Sequence, residues 1–207
     1  MKYSEKKAID AISKMIVEYK DLEGVEFEFR LGRMNGRKFD SNIGQEFFQK
    51  IANTLTSNTS WNAQEMLHTT EYSKKKSNVR QILDEKTDTE TFIEKKRIKD
   101  ITYTVDGMKL DFRFSVSQEI PLTNQETMED CDFVREKKRT SRHHKNWKFE
   151  TTQVEGGDID PDDENQVRYE VELEVKDPKD IKSGTSYATW FAHSGILKTM
   201  DMLKMCN

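Results

Sequence analysis

Over residues 3–20 the apolar positions Ala8, Ile9, Ile12, Met15, Ile16 and Tyr19 recur at spacings of three and four. That period predicts an amphipathic helix with one stripe to bury. At Val25 the period drops to two, with Val25, Phe27, Phe29 and Leu31 alternating with Glu26, Glu28 and Arg30 through Arg33. This is the pattern of a strand with one apolar face. Helical spacing returns in Ile43, Phe47, Phe48, Ile51 and Leu55, predicting a helix over 42–56 with Ser41 or Asn42 as its N-cap. Beyond it no helical period survives until near the end of the chain. Strand-like runs recur instead at 66–74, 78–84, 90–98, 101–105, 109–120, 132–143, 147–155 and 167–176. With the first strand they make nine, several joined by short turns such as Asp106-Gly107, and they predict an antiparallel meander. Residues 123–130 and the acidic stretch 156–165 read as loops, and a last helix is expected over 184–204.

The polar faces of these strands carry the chemistry. In the last run Arg168, Glu170, Glu172, Glu174 and Lys176 oppose Val167, Tyr169, Val171, Leu173 and Val175. In the run 109–120, Asp111, Arg113, Ser115, Ser117 and Glu119 form the polar face, and in 132–143 Arg135, Lys137 and Arg139 share one face. An open sheet with helices on one side and water on the other would also alternate in this way. A solvated face, however, intersperses its signs, because like charges side by side repel. Three glutamates at alternate positions ask for a counter-cation, and a basic run asks for an anion. Closing the sheet into a barrel sets the two faces across one lumen, where a polyphosphate could bridge a metal and the basic strand. Carboxylates without a cysteine or histidine cluster are hard oxygen ligands, suited to Mg²⁺ or Mn²⁺. The fold expected is α+β dominated by β: a closed antiparallel barrel of eight or nine strands with helices packed outside.

Composition narrows the reading. The 207 residues suit a single domain, and 34 basic residues nearly offset 38 acidic ones, so a net charge of −4 gives no bulk attraction to nucleic acid. Any polyanion needs a local basic site. Cys131 and Cys206 are the only cysteines, which excludes a disulfide framework or a zinc cage and suits a reducing compartment. No stretch approaches the roughly twenty apolar residues of a membrane span, and the charged start MKYSEKKAID is no signal peptide. A cytoplasmic protein without membrane association is expected.

Taken in order, the segments from Val25 to Lys176 resemble the triphosphate tunnel metalloenzymes, in particular the metal-dependent RNA triphosphatases of fungal, protozoan and large-DNA-virus capping systems. The likeness lies in Glu26-Phe-Glu28-Phe-Arg30, Ser115-Val-Ser117-Gln-Glu119, Arg135-Glu-Lys137-Lys-Arg139, Trp147-Lys-Phe-Glu150-Thr-Thr152 and Glu170-Val-Glu172-Leu-Glu174. The resemblance implies hydrolysis of the γ-phosphate of 5′-triphosphate RNA, and of NTPs, with Mg²⁺ or Mn²⁺. It implies Glu26, Glu28 and Glu174 as direct metal ligands, with Glu170 and Glu172 holding metal-bound water or the ligand geometry. Lys137, Arg139 and Arg80 would grip phosphates and Glu119 would orient the attacking water. Lys95 and Arg97 match a basic strand of unassigned parity, and Arg113 belongs with the phosphate-binding or supporting set. Arg30 and Arg168 would brace the carboxylates, while Glu150, where the family pattern suggests an aspartate, and Thr152 would support Arg135 or the basic strand. A guanylyltransferase domain or subunit is the implied partner; a viral factory, a virion or a nucleus is the implied setting, according to the host. A tripolyphosphatase or thiamine triphosphatase on the same architecture, or a noncatalytic RNA- or phosphate-binding module, stays open at this stage.

Other residues have plainer readings. His143 and His144 are neighbours on one strand and point to opposite faces, so they do not form a metal pair and are expected to be solvated or at a tunnel mouth. His68 and His193 read as ordinary surface or half-buried histidines. Lys74, Lys75 and Lys76 read as a hairpin tip, and Trp61, Trp147 and Trp190 as core or helix-docking residues.

Overall fold

The computed structural model describes residues 1–123, 128, 130–158, 167–181 and 184–207, and most of the two expected loops lies outside that set. Its elements are α1 (Glu5–Tyr19), β1 (Val25–Asn35), β2 (Lys38–Asp40), α2 (Gln45–Ser57), β3 (Ala63–Ser73) and β4 (Val79–Asp84). They continue with β5 (Thr89–Tyr103), β6 (Asp111–Leu122), β7 (Phe133–His144), β8 (Trp147–Asp158), β9 (Arg168–Val175) and α3 (Thr185–Lys204). The strands follow the order β1-β6-β5-β4-β3-β7-β8-β9, and β9 pairs back onto β1. The result is a closed eight-stranded antiparallel barrel, with β2 added at the end of β1. Closure leaves the eight strands no long free edge.

The meander holds for β3 through β6 and for β7 through β9, but β3 pairs with β7, and β1 sits between β6 and β9. The reason is burial. The apolar face of β1 is covered by helices from both chain ends, which fixes it in the middle of the covered wall. The runs 90–98 and 101–105 are one strand, β5, whose register slips between Arg97 and Lys99 without breaking. The short strand β2 escaped the sequence reading because three residues carry no period. Residues 156–158 belong to β8 and not to a loop; Gly156 has φ +84°, and a Cβ there would lie 2.4 Å from the Val134 carbonyl oxygen.

Helix α2 starts at Gln45 with Gly44 at its N-cap, not Ser41 or Asn42. Those two are drawn to β9 instead: Ser41 Oγ donates to Glu170 and Asn42 Oδ1 accepts from the Tyr169 amide.

The hydrophobic core lies outside the barrel. Phe27, Phe29, Phe112, Phe114 and Leu173 are buried together with Ala8, Ile12 and Ile16 of α1 and Phe191, Ala192 and Ile196 of α3. Gly195 lets α3 approach closely, since a Cβ there would fall 2.4 Å from the Phe29 ring and 2.8 Å from Trp147. Phe47, Ile51 and Leu55 of α2 are likewise buried, and Trp61 packs on Phe149 at 5.2 Å. Trp147 is a core residue as expected, whereas Trp190 is 51% exposed, with its ring edge-on to Phe191 at 5.0 Å. With apolar faces turned outward to helices, the alternate polar faces turn into the lumen.

Candidate active site in the barrel lumen

Lumenal orientation is visible in contacts that skip a strand. Lys95 of β5 reaches Glu26 of β1 across β6, at 2.8 Å, and Arg139 of β7 reaches Glu172 of β9 across β8, at 3.7 Å. Only the concave face of a barrel brings such side chains together.

The two acidic strands are neighbours, with Glu28 opposite Glu174 and Arg30 opposite Glu172. Arg30 lies among the acids: its Nε and Nη2 donate to Glu28 at 2.8 and 3.2 Å, it contacts Glu172, and Nη1 is 3.9 Å from Glu170. Lys148 pairs with Glu174 at 2.9 Å, and Ser117 Oγ donates to Glu26 at 3.1 Å. Lys95 also binds Glu119 at 2.5 Å, so the proposed water-orienting carboxylate and a proposed ligand share one ammonium.

Burial divides the acids into two kinds. It pushes Glu174 up to about 8, with Glu150 and Glu26 adding to the effect and Lys148 opposing it. Glu26 and Glu28 are raised by burial too, with Glu119 and Glu172 respectively reinforcing the shift. For Glu172 burial works in the same direction but is outweighed by Arg30 and Arg139, which hold it below the usual carboxylate range. Glu119 is likewise held low: burial is outweighed by Lys95. Thus Glu26, Glu28 and Glu174 are the acids whose ionised form burial disfavours, even with Lys95, Arg30 and Lys148 beside them.

The basic strand β7 lies beyond β8 along the same lumenal wall. Arg139 pairs with Glu150 at 3.0 Å and its Nε donates to Thr152 at 3.2 Å, while Ser141 Oγ donates to Glu150 at 2.7 Å. Glu150 and Thr152 therefore brace Arg139 and not Arg135. Lys137 binds Glu71 of β3 at 2.6 Å, Arg80 of β4 reaches the same carboxylate at 3.1 Å, and Arg135 stands 3.9 Å from it. Burial lowers the Lys137 ammonium, helped by Arg139 and Arg80 and resisted by Glu71.

One end of the lumen is partly crossed by β2. The Phe39 ring occupies the space that a side chain at Gly32 would fill, with its Cζ 2.5 Å from the position of a Cβ there. Arg113, opposite Arg30, lies over that ring at 4.6 Å and has no carboxylate partner among the described residues. Burial and the nearby Arg97 lower its pKa.

Lys95 settles the parity of β5: it points inward, and Glu94 and Lys96 take the other face. Arg97 shares the face of Lys95 by register, yet its side chain is 55% exposed and pairs with Asp100 at 3.7 Å. Arg168 does not brace the glutamates; it pairs with Asp40 of β2 at 3.3 Å, at the surface. His143 is buried on the lumenal side and so not solvated, 3.8 Å from the exposed Glu65 near the end of β7, and His144 faces Ser60 on the outside. Two lumenal residues were missed, Lys148 and Glu71. Lys148 was open to detection, being in phase with Glu150. Glu71 was not, because β3 lacks a clean apolar alternation.

Among the described residues no three carboxylates are gathered into a ready metal cage. The donor set nevertheless fits a hard divalent ion: three oxygen ligands on adjacent strands, all with proton affinities raised by burial and, secondarily, by neighbouring acids, and neither cysteine nor histidine beside them.

Comparisons agree with this architecture. The S. pombe Pct1 RNA triphosphatase structure superposes with a TM-score of 0.83 at 16% identity, covering 96% of this chain and 93% of that one. A second Pct1 structure, in complex with the Spt5 CTD, is as similar, with a TM-score of 0.83. The triphosphatase of the Mimivirus capping enzyme follows with a TM-score of 0.67 at 17% identity, covering 98% and 99%. No curated protein sequence matches. The family described as mRNA capping enzyme, beta chain, matches residues 34–189, a segment that holds β9 and the basic strand but begins beyond Glu26 and Glu28 of β1. A closed barrel with a charged lumen, and a family match over most of its strands, place this chain in the mRNA capping enzyme β-chain family of RNA triphosphatases.

Proposed function

We propose that the lumen binds the 5′-triphosphate end of RNA with its γ-phosphate between the glutamates of β1 and β9 and the basic strand, and that the residues named above carry the family's reaction in this chain. The chain is an RNA 5′-triphosphatase of mRNA capping. Water adds to the γ-phosphorus, the bond from that phosphorus to the β–γ bridging oxygen breaks, and orthophosphate leaves a diphosphate end. The observation that carries the assignment of roles is the division of one lumen into a cluster of buried glutamates on β1 and β9 and a set of cations on β7 and β4.

Glu26, Glu28 and Glu174 would hold a divalent ion, Mg²⁺ or Mn²⁺, which when bound neutralises phosphate oxygens. Glu172 and Glu170, tied to Arg30 and Ser41, fix the surroundings of those ligands. Lys137, Arg139 and Arg80 face the transferring phosphoryl group and stabilise the charge that develops on it. Glu119 stays ionised beside Lys95, so it acts as an acceptor that aims the attacking water and holds little affinity for its proton. The diphosphate end is the kind of acceptor that a guanylyltransferase uses, which makes such a domain or subunit the fitting partner.

The test is orthophosphate release from triphosphate-ended RNA, NTPs, tripolyphosphate and thiamine triphosphate, each with Mg²⁺, Mn²⁺ or EDTA. RNA is expected to be cleaved only with a divalent ion present. Activity that ignores chelation would overturn the metal assignment, and cleavage confined to a small triphosphate would overturn the substrate.

A further inference from the structure

Glu71 is an acid in the wrong company for a phosphate site. Its side chain is only 4% exposed, yet three cations converge on it from two strands: Lys137 at 2.6 Å and Arg135 at 3.9 Å from β7, and Arg80 at 3.1 Å from β4. Two of these three are the groups assigned above to grip the phosphates. A carboxylate there competes with the substrate for the same donors, so mere anion binding gives no reason to have it.

The geometry supplies one. Lys137, Arg80, Arg135 and Arg139 carry four like charges in one confined wall, and in the absence of an anion they repel one another. Arg139 has its own acid, Glu150, at 3.0 Å. The other three share Glu71. We infer that Glu71 is a positioning residue for the triphosphatase reaction: it keeps Lys137 and Arg80 assembled and aimed as a phosphate clamp while the lumen is free of substrate. The inference rests on the proposed role of Lys137 and Arg80 as phosphate ligands. Its distinguishing consequence is a split between binding and turnover. Without the charge of Glu71 the wall is more positive, so a polyanion binds at least as well. The cations, however, are no longer held where the transition state needs them, so turnover falls. Loss of a direct phosphate contact would instead weaken both.

The experiment compares wild type with Glu71→Gln, Glu71→Asp and Lys137→Ala. Binding of inorganic tripolyphosphate in EDTA is followed by calorimetry, and kcat and KM for triphosphate-ended RNA with Mg²⁺ or Mn²⁺ by phosphate release. Glu71→Gln is expected to bind tripolyphosphate as tightly as wild type or tighter, with kcat lowered roughly tenfold to a hundredfold and KM not raised. Glu71→Asp should fall in between, and Lys137→Ala should weaken tripolyphosphate binding. Unchanged kcat in Glu71→Gln, or binding that falls together with kcat, overturns the inference. If Glu71→Gln does not fold, Glu71→Asp decides: a severalfold drop in kcat at unchanged affinity supports it, and wild-type kcat overturns it. A wild-type chain that releases no phosphate refutes the function itself and the inference with it, whereas a wild-type chain that does release phosphate leaves the variants to decide on Glu71 alone.

Discussion

Lys137 donates to a single carboxylate, at 2.6 Å, and burial lowers its pKa, so little but Glu71 keeps it charged and in place. Replacing it with alanine removes a cation aimed at the reacting phosphate. A loss of kcat on the scale of roughly a hundredfold is expected in a phosphate-release assay, with the melting temperature little changed. Glu28→Ala should abolish turnover; wild-type rates in that variant would remove Glu28 from the metal site. Glu71 itself makes a prediction about pH. Burial is outweighed by Lys137 and Arg80, which bring the carboxylate down to about 2 from an ordinary 4.5. Its folded-state pKa is depressed, so its contribution to stability is present above about 4.5 and is lost as pH falls through that value toward 2. Denaturant titrations should show Glu71→Gln less stable than wild type near neutrality, by roughly 2–3 kcal/mol, with the gap closing as the solution is acidified. A gap that is constant with pH would mean that the ion pairs do not stabilise the fold. At this scale the sequence showed the acids of β1 and β9, because alternation is a local property. It could not show which cation each acid meets, since Lys95 and Glu26 lie 69 positions apart.

The elements show how the outer face is sealed. Helix α3 is long and only weakly amphipathic in pattern, yet it buries Ala188, Ala192 and Gly195, and at Gly195 its backbone comes close to the barrel. A methyl group at Gly195 meets the Phe29 ring and Trp147 at the same time. Gly195→Ala should therefore cost stability despite the better helix propensity of alanine, on the order of 1–3 kcal/mol by overpacking, measurable by thermal or denaturant unfolding. A gain in stability would show that α3 can back away from β1 without loss. The periods of the chain revealed α1, α2 and α3 nearly to their ends, and eight of the barrel's strands as runs. They misplaced the α2 cap and split β5, for one reason in both cases: Ser41, Asn42 and the residues near Ile98 answer to partners far along the chain and not to their own neighbours.

At the scale of the molecule the barrel has its oily side out, so it depends on its helices in a way that an ordinary barrel does not. Deleting α3, residues 185–204, would bare Phe29, Trp147 and Leu173 together. No cooperatively folded barrel is expected to remain, as read by far-ultraviolet circular dichroism and denaturant unfolding; a truncated chain with a sharp transition would show that strand closure alone suffices. The sequence by itself determined that strands dominate, that two of them are acidic and one basic on alternate positions, and that apolar faces await helices. Those features depend on period and composition, which act between near neighbours. Only the tertiary structure decided that β1 lies between β6 and β9, that Lys95 points inward and Arg168 does not serve the acids, and that Glu71 stands under the phosphate-binding cations. Each of these depends on strand register and on closure of the sheet, and a one-residue change of register reverses every side chain of a strand. The energy that selects the register comes from burying the outer face under α1 and α3, a sum over residues from both ends of the chain.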